Sequence, residues 1–262
     1  MYPYCTLFTP QAVIFKSATI DIIGIVNRRF RILGKAGWII FASVVVLLLG
    51  GLVVYSRLTN PSANVADLDA NTIIAASDAN GQIADHTFGN PESKVVLIEY
   101  GDFQCPSCGG AHPQIKELTE EYKDKVLFIF RNFPLTTIHP NARAAAGAVE
   151  AAGLQGKYWE MHNLVFENQS DWENLTGTQR TDIFASYATS LSLNKDQFVA
   201  DLAKDTVNKK ISFDQALGKK AEVTATPSFF LNGKALDATV AGATVQGSSD
   251  ELRALIEEAL KQ

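Results

Sequence analysis

Cysteine is scarce in this chain, with three residues in 262. That excludes a multi-disulfide scaffold, because only Cys105 and Cys108 can plausibly pair and Cys5 lies far from both. Cys5 is assigned no role. A second Cys-x-x-Cys is also missing, which weighs against a structural zinc site. Positive charge is not in excess, since 23 Lys and Arg face 28 Asp and Glu for a net charge of −5. Nothing in that balance calls for a nucleic-acid partner. Charge is absent altogether from Trp38 to Tyr55.

That uncharged run would make a helix of roughly 27 Å, close to the ~30 Å hydrocarbon core of a bilayer. Trp38 and Tyr55 stand at its ends, where interfacial aromatics belong. Arg28, Arg29, Arg31 and Lys35 precede it and Arg57 follows, so the positive-inside rule puts the N-terminus in the cytoplasm. The expected organisation is a cytoplasmic segment over 1–37, one transmembrane anchor in the lipid bilayer over 38–55 and a linker over 56–82. An extracytoplasmic domain over 83–262 follows, periplasmic or extracellular. A cleaved signal peptide is the rival reading, but the run is long for one and no clean A-x-A site follows it. Residues 58–82 are rich in Asn, Ala, Ser and Asp and read as a tether.

The outer domain alternates. Ile83–Phe88 reads as a short strand, Gly89-Asn90-Pro91 as a turn, and Lys94–Tyr100 as a buried central strand. A helix follows Cys105 to about Lys123, with Ile115, Leu118, Thr119 and Tyr122 as its inward stripe and Pro113 as a kink. Val126–Phe130 is the next strand. From about 140 to 222 no convincing strand is present, and the pattern is helical at 141–152, 158–166, 178–191 and 206–222. Strand character returns at Ser228–Leu231, with a turn at Asn232-Gly233 and a second short strand through Leu236. Ser248-Ser249-Asp250-Glu251 caps a last helix. The order is β–β–α–β, a helical block, then β–β–α.

Cys105-Pro106-Ser107-Cys108 stands where the central strand gives way to a helix. Two cysteines on the first helical turn can close a short disulfide. Unpaired backbone N–H groups there favour a thiolate on the first, and Pro106 suits the first helical position. The chemical reading is a reversible dithiol/disulfide couple, with Cys105 as the exposed nucleophile and Cys108 as the resolving thiol. Glu99 shares a strand face with Val95 and Leu97. Either it reaches solvent at the strand end, or it is a buried acid with a raised pKa that relays the proton of Cys108. Cys105, Cys108 and His112 could instead supply three ligands to zinc in a non-enzymatic binding module.

Four stretches resemble one family, the DsbA-like thiol-disulfide oxidoreductases, in their membrane-anchored bacterial branch. They are Asp102-Phe103-Gln104-Cys105-Pro106-Ser107-Cys108, Phe133-Pro134-Leu135 with His139-Pro140-Asn141-Ala142, Lys157-Tyr158-Trp159-Glu160-Met161-His162, and Thr224-Ala225-Thr226-Pro227-Ser228-Phe229-Phe230-Leu231-Asn232-Gly233. The resemblance covers about residues 83–262 and implies an α/β thioredoxin-like fold with an inserted helical domain. It implies that Pro227 is a cis-proline facing the Cys105–Cys108 disulfide, that the Thr226 backbone pairs with an extended substrate, and that Glu99 is the buried acid. No cofactor beyond the redox-active disulfide and no metal is implied. The partners implied are reduced extracytoplasmic proteins and a membrane re-oxidase of the DsbB or vitamin-K-epoxide-reductase (VKOR) type, the chain acting as a monomer. Pro106-Ser107 lacks the histidine of the best-known DsbA members, and Thr226 also precedes the cis-proline in isomerase and reductase relatives. An isomerase or reductase using the same couple therefore stands beside the oxidase. His112 and His162 are expected in structural roles, and His139 in packing or at the start of a helix, with a place near the active-site surface as the alternative.

Overall fold

The computed structural model describes residues 35–59, 65–70 and 72–262. The expected cytoplasmic segment, with Cys5 and Arg28, Arg29 and Arg31, lies outside them up to residue 34. Two compact units divide at Pro61 and Ser62. The first holds helix α1, Lys35–Thr59. The expected anchor over 38–55 falls inside α1. Its side chains are described only from 37 to 52, a length of about 24 Å. Among the described residues no helix is long and apolar enough to cross a membrane. Ile39, Leu47 and Leu48 on α1 are exposed.

In the second unit a five-stranded sheet runs in the order β1-β3-β2-β4-β5. Its strands are β1 His86–Gly89, β2 Val96–Gly101, β3 Leu127–Asn132, β4 Ser228–Leu231 and β5 Lys234–Ala235. β2 pairs parallel with β3 and antiparallel with β4, so Glu99 lies level with Phe130 on one side and Phe229 on the other. Helix α2, Pro106–Tyr122, follows β2 and runs on through Pro113. Between β3 and β4 come only helices: α3 Ala142–Gly153, α4 Tyr158–Glu167, α5 Gln169–Trp172, α6 Gly177–Ser190, α7 Lys195–Asp201 and α8 Asp205–Lys220. The chain closes with α9, Ala238–Val245, and α10, Asp250–Ala259. The sequence pattern did not suggest α9. It packs against α2, and a Cβ added at Gly110 would meet Val245.

Period-two alternation in β2 divides the core. Val95 and Leu97 join Ile115, Leu118, Phe128 and Phe130 on the α2 face. Ile98 and Tyr100 join Ile129, Phe213, Leu217 and Phe230 on the other. That second face is completed by a stretch read from the sequence as tether. Ala70 and Ile74 are buried in it, with Val65 and Leu68 packed alongside. Side chains of the domain bind the main chain of this strap. Lys220 Nζ donates to the carbonyls of Val65, Ala66 and Leu68. Arg131 donates to those of Ala70 and Thr72. Asp85 accepts from Ile74 N at 2.9 Å. The expected linker 56–82 is thus corrected: residues 65–70 and 72–82 belong to the folded domain. Their polar composition misled because the domain's cations satisfy their carbonyls.

Beneath the strap lies a buried ionic cluster. Arg131 pairs with Asp85 at 2.6 Å, and Lys210 lies 3.1 Å from Asp85 and 2.7 Å from Asp214. All four side chains are fully buried. Asn132 links Asp214 to Glu150, which pairs with His86 at 2.8 Å. Partnered charges of this kind escape the cost of a lone buried ion.

Candidate active site

The strand-to-helix step places Cys105 as the N-cap of α2 with extended backbone, and Pro106 as its first residue. Free N–H groups of the first turn collect there. Cys105 Sγ donates to the Thr226 carbonyl oxygen at 3.4 Å, across a cis Thr226–Pro227 bond. The two cysteines are present as thiols, Cys105 6% exposed and Cys108 1%. The expected exposed nucleophile is thus corrected: Cys105 is buried, its sulfur lying against the Thr226 main chain, though less deeply than Cys108.

Electrostatics separate the pair. The Cys105 thiol is pulled down to about 5, first by a hydrogen bond from the Cys108 thiol, with the Thr226 side chain and the first-turn N–H groups acting the same way against burial. The Thr226 hydroxyl has no hydrogen-bond partner among the described residues while Cys105 is a thiol, so its proton is free for the thiolate. Burial pushes Cys108 well above its usual range, and the Cys105 and Glu99 charges add to that. Only the Asp102 N–H, 3.5 Å from Cys108 Sγ, works in the opposite direction.

Glu99 is buried on the face of β2 shared with Leu97, between the Phe130 and Phe229 positions. Desolvation first, and the Cys105 charge second, raise its carboxyl to about 8. A side chain at Gly101 would strike the Phe130 ring at 2.4 Å and lie 3.2 Å from Glu99 Oε1. The residue after Glu99 and Tyr100 therefore has to be glycine. The structure brings Cys105, Cys108, Thr226, Pro227 and Glu99 into one region, with Glu99 inside rather than at a solvated strand end.

Several groups that sequence reasoning did not single out hold the loop. Asp102, with a fully buried side chain, accepts from Gln104 N at 2.8 Å, Leu135 N at 2.8 Å and His139 Nδ1 at 2.7 Å. Gln104 receives Asn141 N at 2.6 Å and donates to the Glu173 carbonyl at 2.8 Å. Gln169 donates to the carbonyls of Phe103 and Cys105. The inserted helices thus grip the loop that carries the cysteines. A sequence signal existed, since Asp102 and Gln104 are polar residues beside a buried strand. Leu135, His139 and Asn141, their partners from over thirty residues away, stand in the second stretch that carried the resemblance, but nothing local in the sequence pairs the two stretches.

His112 and His162 pack with Phe103 and Phe166 in the core. Burial holds His112 down at about 4 and His162 well below its usual value. Among the described residues no group of three or more His, Cys, Asp or Glu side chains could hold a metal ion. The alternative zinc set of Cys105, Cys108 and His112 is not assembled.

The family model Thioredoxin_4, described as thioredoxin, matches residues 82–258. The Na(+)/H(+) antiporter NhaA 1 of Salinispora arenicola is 39% identical over 150 residues, 57% of this chain and 22% of that protein. The antiporter NhaA 1 of Mycolicibacterium gilvum is 37% identical over 152 residues, 57% of this chain and 24% of that one. The chain therefore spans under a quarter of the length of these curated relatives. Among solved structures, oxidised BdbD from Bacillus subtilis superposes with a TM-score of 0.58 at 23% identity, covering 73% of this chain and 98% of that one. Wolbachia pipientis alpha-DsbA1 does so at 0.56 and 23% identity, covering 68% and 91%. These likenesses show the fold, a thioredoxin-like sheet with a helical insertion.

Proposed function

The chain belongs to this thioredoxin family, and on that premise we propose that it is a membrane-tethered thiol-disulfide oxidoreductase that introduces disulfides into extracytoplasmic proteins. The observation that carries the reading is the asymmetry of the two thiols, Cys105 lowered to about 5 and Cys108 raised well above its usual range.

In the oxidised protein a substrate thiolate attacks Cys105 Sγ. The Cys105–Cys108 bond breaks and its electron pair leaves on Cys108 Sγ. Glu99, whose carboxyl burial holds protonated above the usual carboxylate range, gives its proton to that sulfur. A second substrate thiolate then attacks the substrate sulfur of the mixed disulfide, and Cys105 leaves as a stabilised thiolate. The products are an oxidised substrate and a reduced protein. Stabilising the reduced form makes the couple oxidising. The main chain of Thr226, beside Cys105 Sγ, offers an extended substrate an edge to pair with.

The anchoring part of the proposal rests on α1. Its exposed Ile39, Leu47 and Leu48 and the basic residues before it fit a bilayer span with the N-terminus inside. Re-oxidation would then fall to a membrane partner of the DsbB or VKOR type. One equivalent of oxidised protein, mixed with a reduced peptide carrying two thiols, should leave the peptide with an internal disulfide. Cys105→Ser should not. A Cys105→Ser protein that oxidises the peptide equally well contradicts the mechanism, and net reduction of an oxidised peptide favours the reductase.

A further inference from the structure

We infer that the main-chain N–H of Asp102 receives the Cys108 thiolate when the active-site disulfide opens, and that His139 is the positioning residue that holds it there. This rests on the redox reading above, because it concerns that reaction's leaving group.

Until the Glu99 proton arrives, opening the bond puts a negative charge on Cys108 Sγ, a site with 1% exposure where water cannot solvate it. A buried thiolate needs a donor. Asp102 N points at that sulfur from 3.5 Å. Asp102 follows the last residue of β2 and opens the turn in which Cys105 N donates to Asp102 O at 3.0 Å. The direction of its N–H is set by how its peptide is held. That peptide's own carbonyl, Gly101 O, accepts from Phe133 N at 2.7 Å, and the Asp102 carboxylate fastens the loop that carries Phe133. Gln104 N and Leu135 N are main-chain donors to the carboxylate, whereas His139 Nδ1 is the side-chain donor, at 2.7 Å. His139 is itself fixed on the loop after β3. Its N donates to Leu135 O at 2.9 Å, and Phe133 N donates to Gly101 O at 2.7 Å. The loop 133–139 and the end of β2 are thus fastened at two points, Gly101 O and the Asp102 carboxylate. Losing the His139 fastening loosens the loop 133–139, and with it the Phe133 N bond that aims the Gly101–Asp102 peptide at the sulfur. Cys105 has its own stabilisers in Cys108, Thr226 and the helix start, so this device acts on the leaving sulfur alone.

The test uses the full chain in detergent micelles with reduced glutathione as the attacking thiol. The rate at which glutathione opens the oxidised couple is read by trapping the freed thiols. The pH midpoint of Cys105 alkylation by iodoacetamide is read on the reduced protein. His139→Ala should open roughly threefold to tenfold more slowly, the loss of part of a charge-assisted hydrogen bond. His139→Asn, whose amide can replace the Nδ1 donor, should open at close to the wild-type rate. The alkylation midpoint should be the same in all three. Should His139→Ala fold poorly, Asp102→Asn reads the same rate and should be slowed likewise. An unchanged rate in His139→Ala overturns the inference, as does slowing accompanied by a moved alkylation midpoint or not restored by Asn. A wild-type couple that glutathione does not open at all sinks the redox reading itself, a result distinct from an unaffected variant.

Discussion

The Cys105 sulfur and the Thr226 carbonyl oxygen stand 3.4 Å apart, although 121 residues separate them in the chain. The same approach brings the Thr226 side chain to Cys105, where, after the Cys108 thiol and together with the first-turn N–H groups, it pulls the thiol far below its usual range. In the reduced protein, Cys105 should be alkylated with half-maximal rate at about pH 5, while Cys108 stays unmodified as long as the fold is intact. Cys108→Ala removes the largest stabiliser of the Cys105 thiolate, so its midpoint should move upward. Rates of iodoacetamide labelling, resolved by peptide mass, check both statements. A wild-type midpoint near ~8.5, the ordinary cysteine value, would contradict them.

Glu99 makes stability fall with rising pH. Its folded pKa is raised to about 8 from 4.5, so the folded state holds a proton that the unfolded state has released. Stability is full below about pH 4.5 and declines as pH rises through the folded value, by up to ~1.4 kcal/mol per pH unit. In the oxidised protein the Cys105 charge is missing, so the window closes below 8. Glu99→Gln, which cannot ionise, should gain stability relative to the wild type across that range and not below pH 4.5. Urea unfolding of the oxidised proteins at pH 4, 6 and 8 measures the difference. A constant difference would mean that Glu99 ionises freely.

The strap is expected to be part of the folding unit. Deleting residues 65–82 would uncover Ile98, Tyr100 and Ile129 and leave Arg131 without the Ala70 and Thr72 carbonyls. The loss should be at least about 3 kcal/mol. Comparing urea midpoints of domains that begin at Val65 and at Ile83 tests this. Equal midpoints would return the strap to the status of a tether.

Lys210 should be intolerant of a neutral replacement. Lys210→Met leaves Asp85 and Asp214 buried with one cation fewer, at a cost of roughly 3–5 kcal/mol. Thermal unfolding gives the answer, and a change within ~1 kcal/mol would contradict the ion cluster.

The sequence carried the sheet and the cysteine pair clearly, because both leave local marks. Continuous apolar runs located β2 and β4, and the spacing of Cys105 and Cys108 needs no distant partner to be read. Long-range polar partnership escaped. The sequence pattern ends β3 at Phe130, and only contacts with Asp85 and the strap explain the full burial of Arg131. Lys210 and Asp214 sit at i, i+4 within the apolar stripe Val207, Ile211, Leu217, a signal visible only once burial is asked of every stripe position. Helix α9 was missed because its Ala, Thr, Val and Gly residues give little helical periodicity. His139 looked like a residue for packing because its partner, Asp102, stands 37 positions earlier.

The central claim is that Cys105 and Cys108 form a couple poised to donate a disulfide, and its reduction potential tests that most directly. The full chain in detergent micelles would be equilibrated in glutathione buffers of graded ratio and the dithiol fraction counted. The stabilised Cys105 thiolate predicts a value toward about −120 mV, the range of a strong disulfide donor. A value near about −270 mV, the range of thioredoxin, would contradict donation and make the protein a reductant.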